Sequence, residues 1–136
     1  MDIPWPILLI VLYLVFSAFR SRNSPPLEPH GKVTNIESDS SFDEITGKGT
    51  TVVDFYATWC GPCKAVAPRI GALSEEYDGR VRFIQVDVDK FQGLAKRCNV
   101  TAMPTFVVYR DGEVQTSIRG ANLGLLKSEI EKALAK

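Results

Sequence analysis

Cys60 and Cys63 stand two residues apart in Trp59-Cys60-Gly61-Pro62-Cys63-Lys64, where an apolar, β-branched run gives way to a helical pattern. At a helix N-terminus this spacing puts the two sulfurs about one turn apart, within reach of a disulfide that forms and breaks with little backbone movement. Cys60, at or just before the first turn, has its sulfur near unpaired backbone N–H groups and the positive end of the helix dipole. Those surroundings favour thiolate and mark Cys60 as a low-pKa nucleophile. Cys63, inside the first turn, is more shielded and takes the part of the resolving thiol. Pro62 suits a first turn, where its missing N–H costs nothing. Other readings of the pair are weaker. Zinc needs four ligands, and the remaining candidates are Cys98, far along the chain, and His30, with no second Cys-x-x-Cys; no metal site is expected. A purely structural disulfide closing so short a loop adds little entropic stabilisation.

Composition excludes several other chemistries. The 136 residues hold 16 Lys+Arg against 16 Asp+Glu, a formal net charge of zero. No basic cluster follows a phosphate backbone, so nucleic acid is not an expected partner. The single histidine, His30, sits in a Pro-rich stretch, which argues against a His-rich metal centre and against a Ser-His-Asp hydrolase. Three cysteines are too few for a disulfide-stapled mini-protein. At 45% hydrophobic and 24% charged residues the chain has the composition of one ordinary folded domain.

The elements that must position the cysteines alternate strand and helix. Lys32–Glu37 reads as a short strand, and Ser41 to Glu44 has capping-box spacing for a helix start. Thr51–Ala57 reads as a buried central strand. From Gly61 to Tyr77 the apolar residues Val66, Ile70, Leu73 and Tyr77 mark a helix face, with Pro68 expected to kink it. Val81–Val88 is a second buried strand, Phe91–Arg97 a short helix and Thr105–Tyr109 a strand. Asp111-Gly112 turns that strand back into Glu113–Ile118, and Asn122–Leu134 closes the chain as an amphipathic helix. This order implies parallel crossovers followed by an antiparallel hairpin, an α/β fold with a mixed sheet covered on both sides.

The first residues are of another kind. Ile3 to Phe19 carry no charge, and Arg20 and Arg22 follow at once. As a helix this run rises roughly 25 Å, slightly short of the ~30 Å hydrocarbon core. A cleaved signal peptide carries its basic residues before the apolar run, and Val15-Phe16-Ser17 makes a poor cleavage site. A mitochondrial presequence is amphipathic and Arg-rich, which residues 3–19 are not. The expectation is an N-terminal membrane anchor over residues 1–19, with the following arginines placing the rest on the cytosolic side. The secretory lumen and the mitochondrion stay open as alternatives. Residues 20–32, with Pro25, Pro26 and Pro29, read as a partly extended linker, and the domain occupies 33–136.

The chain resembles the thioredoxin family. Residues 52–64, Val-Val-Asp-Phe-Tyr-Ala-Thr-Trp-Cys-Gly-Pro-Cys-Lys, are similar to its strand and active-site signature nearly residue for residue. Pro68, Val86 to Asp89, Ala102-Met103-Pro104-Thr105-Phe106, Asp111-Gly112 and Gly120-Ala121 are similar at the expected spacings. The resemblance covers about residues 33–136 and implies a thioredoxin fold, a mixed five-stranded sheet flanked by four helices; the membrane-type helix in front lies outside it. It implies a protein-disulfide reductase working through a redox disulfide between Cys60 and Cys63. Pro104 becomes a cis-proline facing the pair, and Asp54 a buried proton acceptor for Cys63, acting through water. Trp59, Gly61, Pro62, Met103, Gly120 and Ala121 form the rim where substrate docks. Many relatives carry a lysine beside this carboxylate, where Gln85 stands here. The family binds no cofactor and draws electrons from NADPH through thioredoxin reductase. Its expected partners are that reductase, peroxiredoxins and other oxidised proteins; the chain itself is expected to be monomeric.

Two other classes remain open, a luminal disulfide isomerase or oxidant and a non-catalytic docking module. Protein disulfide isomerases usually carry His at the position of Pro62, so Pro62 favours a reductant. Cys98 reads as a bystander thiol with a regulatory role as the alternative, and Asn99-Val100-Thr101 matches a glycosylation sequon that matters only in the secretory lumen.

Overall fold

The computed structural model describes residues 2–22 and 27–136. Pro25 and Pro26 of the expected linker lie outside the described residues. Five strands form one sheet in the order β1-β3-β2-β4-β5. β2 (Thr50–Tyr56) occupies the centre and is buried at every residue, as a strand covered on both faces must be. It pairs in parallel with β3 (Val81–Asp87) and antiparallel with β4 (Thr105–Arg110). β1 (Thr34–Asn35) adds to the outer side of β3, and β5 (Glu113–Arg119) pairs antiparallel with β4.

Alternation along the strands divides the core in two. Val52, Phe83, Phe106, Val108 and Ile118 face α3 (Gly61–Glu76) and α5 (Leu123–Leu134), packing on Val66, Ile70, Leu126 and Ile130. Val53, Phe55, Ile84, Val86 and Val107 face the other way, onto Phe42 of α2 (Asp39–Thr46) and Leu94 of α4 (Gln92–Arg97). Phe42 meets Tyr109 edge-on, ring centroids 5.8 Å apart. Pro68 lies within α3, which continues across it although Pro68 has no N–H for the Lys64 carbonyl.

Two elements, α2 and β1, differ from the sequence reading by more than one residue at an end. α2 starts before Ser41: Ser38 is its N-cap, accepting from the Ser41 N–H, and the Ser41 side chain closes the box on the Ser38 backbone. β1 is only two residues long, because the Val33 N–H turns back to the His30 carbonyl before it and the α2 cap begins soon after it.

α1 (Trp5–Arg22) corrects the expected membrane crossing at residues 3–19. Among the described residues no helix is long and apolar enough to cross a membrane. The uncharged part of α1, Trp5 to Phe19, rises roughly 22 Å, well short of the ~30 Å hydrocarbon core, before Arg20 intervenes. Its large apolar side chains are all exposed, from Trp5 at 73% through Phe19 at 65%.

Candidate active site

β2 carries the chain from the sheet centre to its C-terminal edge, where Cys60 becomes the N-cap of α3. The Cys60 Sγ accepts the Cys63 N–H at 3.2 Å, so one orphan donor of the helix end points at this sulfur. The two cysteines form a disulfide with their Cα atoms 5.3 Å apart. Cys60 is 5% exposed and Cys63 2% exposed. With Tyr56 and Ala57 they make a small apolar cluster, against which Leu27, Val88 and Met103 pack.

The rim residues expected from the sequence gather around this pair. Trp59 is half exposed, and its indole Nε1 donates to Asp89 Oδ2 at 2.8 Å, which holds the ring at the lip of the site. Gly61 and Pro62 lie exposed in the first turn of α3. The Met103–Pro104 peptide bond is cis. The Pro104 carbonyl accepts the Gly120 N–H at 2.8 Å, joining the Gly120-Ala121 turn to that loop. Gly120 has φ +88, a left-handed conformation that a side chain would strain. Thr105 Oγ1 donates to the Ala102 carbonyl at 2.7 Å and stiffens the loop from the other side. Two larger clefts, of 530 and 830 Å³, are lined by other residues, the first around Arg82 and the second around Tyr109. Neither of these clefts includes Cys60 or Cys63.

Asp54 lies on β2, the strand that leads into Cys60, 4% exposed, and its Oδ1 has no hydrogen-bond partner among the described residues. Burial pushes its carboxyl up to about 7, which leaves it able to hold or accept a proton near neutrality. Gln85 is its register partner across the β2–β3 pair. No metal-ligating cluster of three or more His, Cys, Asp or Glu occurs among the described residues.

Other residues noted in the sequence lie elsewhere. Cys98 is a free, half-buried thiol at the end of α4, its Sγ 3.5 Å from the Tyr109 hydroxyl, on the core face opposite α3. Asn99 is exposed with φ 55. Sequence reasoning missed Leu27, read as linker, and the anchoring of Trp59 by Asp89. An acidic residue at the end of the buried β3 run was the available signal for the second; nothing in the pattern marked the first.

Comparison with known proteins agrees with this geometry. Residues 33–135 match the family model described as Thioredoxin. The chain is 49% identical over 107 residues to thioredoxin Asp f 28 of Aspergillus fumigatus, covering 78% of this chain and 98% of that protein. It is 44% identical over 105 residues to thioredoxin of Oryctolagus cuniculus, covering 75% and 99%. Among solved structures it is similar to Malassezia sympodialis thioredoxin, with a TM-score of 0.72 and 36% identity over 81% of this chain and 97% of that one. It is also similar, at TM-score 0.71 and 39% identity over 77% and 99%, to a chain from a study of thiol resolution in yeast mitochondrial 1-Cys peroxiredoxin via glutathione/thioredoxin systems. Matched over residues 33–135 and aligned with nearly the full length of these relatives, the chain belongs to the thioredoxin family, the thiol-disulfide oxidoreductases that reduce protein disulfides.

Proposed function

We propose that this protein-disulfide reductase works by attack of the Cys60 thiolate on a sulfur of the substrate disulfide. A mixed disulfide forms, and the substrate's other sulfur leaves as thiolate and takes a proton from water. Cys63 then gives its proton, through water, to Asp54, and its thiolate attacks the Cys60 sulfur. The products are the Cys60–Cys63 disulfide and a reduced substrate. Thioredoxins hold no bound cofactor, and two electrons from NADPH, delivered by thioredoxin reductase, restore the dithiol. The observation that carries the assignment is the Cys60 sulfur at the N-cap of α3, facing the Cys63 N–H at 3.2 Å. Trp59, Gly61, Pro62, Met103, Gly120 and Ala121 supply the docking rim, and the backbone beside Pro104 pairs with the extended substrate chain. Peroxiredoxins are a proposed partner class, on the strength of the similarity to the yeast chain.

The expected potential of the Cys60–Cys63 couple is close to the value of about −270 mV characteristic of thioredoxin, not the −180 mV of protein disulfide isomerase. Equilibration with glutathione or with a thioredoxin of known potential measures it. A value near that of the isomerase makes the luminal oxidant the better reading.

The second part of the proposal concerns place. α1 attaches the protein to a membrane without crossing it, and the domain faces the cytosol. The support is a helix whose apolar side chains are exposed all round, with exposed Arg20 after them able to reach lipid phosphates. Intact, washed membranes carrying a C-terminally tagged protein should retain it and lose the tag to added protease without detergent. A protected tag, or one recovered in the soluble fraction, removes this part.

A further inference from the structure

Residues 27–32 precede the segment that matches the family model, yet they are fastened along α3 to the redox site. Gly31, with φ +59, approaches α3 so closely that a Cβ on it would lie 2.3 Å from the Gly71 carbonyl oxygen. A Cβ on Gly71 would lie 2.6 Å from that of His30. The Lys32 N–H donates to Ser74 Oγ at 2.8 Å, and Ser74 Oγ donates to the Gly71 carbonyl at 2.6 Å. At the other end of this strap Leu27 packs against the cluster of Tyr56, Ala57, Cys60 and Cys63. Its carbonyl accepts from Gln85 Nε2 at 2.8 Å.

That last contact decides how Gln85 is oriented. A backbone carbonyl only accepts, so the amide nitrogen must face Leu27. The second N–H goes to Asn35 Oδ1, also at 2.8 Å. Asp54, Gln85 and Asn35 are register neighbours across β2, β3 and β1, and parallel strands lie about 4.8 Å apart. The donor group on Asp54's register partner is therefore committed elsewhere, and among the described residues Asp54 Oδ1 has no partner.

We propose that the strap 27–32 is a positioning element of the redox reaction: seated on α3, it holds the Gln85 amide away from Asp54 and closes the buried side of the cysteine pair to water. When the strap lifts, Gln85 regains a free N–H that can turn to the carboxylate, and water reaches it. Both changes favour the charged form. Tyr56 on the same strand is the titratable group that interacts with Asp54, and Tyr56 in turn feels Asp87 at the end of β3 and Glu28 on the strap. β4 presents Phe106 at the matching register. The strap's effect runs through solvation, the Gln85 amide and, in the same direction, the Glu28 carboxylate that lifts away with it.

The test is a carboxyl carbon NMR titration of Asp54 in the full-length, oxidised protein, with amide spectra confirming that each variant is folded. Leu27→Gly removes the apolar anchor, and Gly71→Ala pushes His30 and Gly31 off α3 at a distance from Leu27. Each is expected to lower the Asp54 midpoint by at least one pH unit. Adding Gln85→Leu to Leu27→Gly, which leaves no donor, should restore at least half of that fall. A midpoint at the wild-type value in both strap variants, or a fall that persists in full with Gln85→Leu, overturns the proposal. It rests on Asp54 as the proton acceptor for Cys63, but the titration reads Asp54 itself. An inactive wild-type protein with the expected midpoint shifts would sink the reductase mechanism and leave the strap standing.

Discussion

Cys60→Ser protein, supplied with NADPH, thioredoxin reductase and oxidised insulin, is expected to show no turnover above background. A hydroxyl at the α3 N-cap still accepts the Cys63 N–H, so the fold and the cap survive. It ionises far less readily than a thiol, however, and a mixed disulfide cannot form on oxygen. Cys63→Ser should behave differently. Its Cys60 still attacks, but nothing resolves the adduct, so substrate accumulates as a covalent complex that dithiothreitol releases on a gel. NADPH oxidation followed by absorbance reads the first variant, and non-reducing electrophoresis of the second reads the trapped species. Insulin reduction that persists in Cys60→Ser would show that the attacking sulfur has been misassigned.

Asp54→Asn is the second large effect, and it acts in opposite directions on stability and rate. The carboxyl is pushed by burial from 3.8 up to about 7, so between those values the folded protein holds a proton that the unfolded chain has lost. Stability therefore falls as pH rises through this window and levels off above it, by about 4 kcal/mol in total. Asparagine carries no such proton. The variant should lack this part of the slope, matching the oxidised wild type near pH 4 and exceeding it by up to that amount at pH 8. Urea unfolding of both proteins across this range gives the difference directly, with contributions common to the two cancelling. Turnover should drop by about 10²-fold near neutrality, the lower end of what a positioned base contributes. Parallel stability profiles for the two proteins would mean that Asp54 is not the buried acid the structure shows.

Much of this site can be read from residue types alone. The β-branched run into Trp59 and the glycine-proline turn between the cysteines each carry a local signature, whereas the cis bond at Pro104 was legible only through the family resemblance. Gln85 beside Asp54 follows from the parallel register once both strands are recognised. The α2 boundary was misplaced because Ser38, Ser40 and Ser41 all offer cap oxygens, and the box closed with serine at N3 in place of the usual glutamate. The packed strap was invisible for a different reason. Apart from the lone Leu27 side chain, its fastenings are a backbone carbonyl, a backbone N–H and the close contact of Gly31 with Gly71. None of these leaves a periodic pattern of side chains. The length of α1 misled in turn, since Arg20 and Arg22 cap an apolar run that counting alone places near bilayer thickness.

The brevity of β1 has a consequence for a protein that reduces disulfides in other proteins. Wherever a substrate exposes unpaired backbone, a sheet with an open margin is a template for it. On one side this sheet ends in a strand of two residues, too short to seed a ladder. On the other, β5 is shifted in register by an irregularity at Val108/Tyr109 and bears charged Glu113 and Arg119 at its ends. Neither margin invites a growing aggregate, so under the proposed mechanism the Pro104 loop is left as the place where a substrate's backbone pairs, one chain at a time.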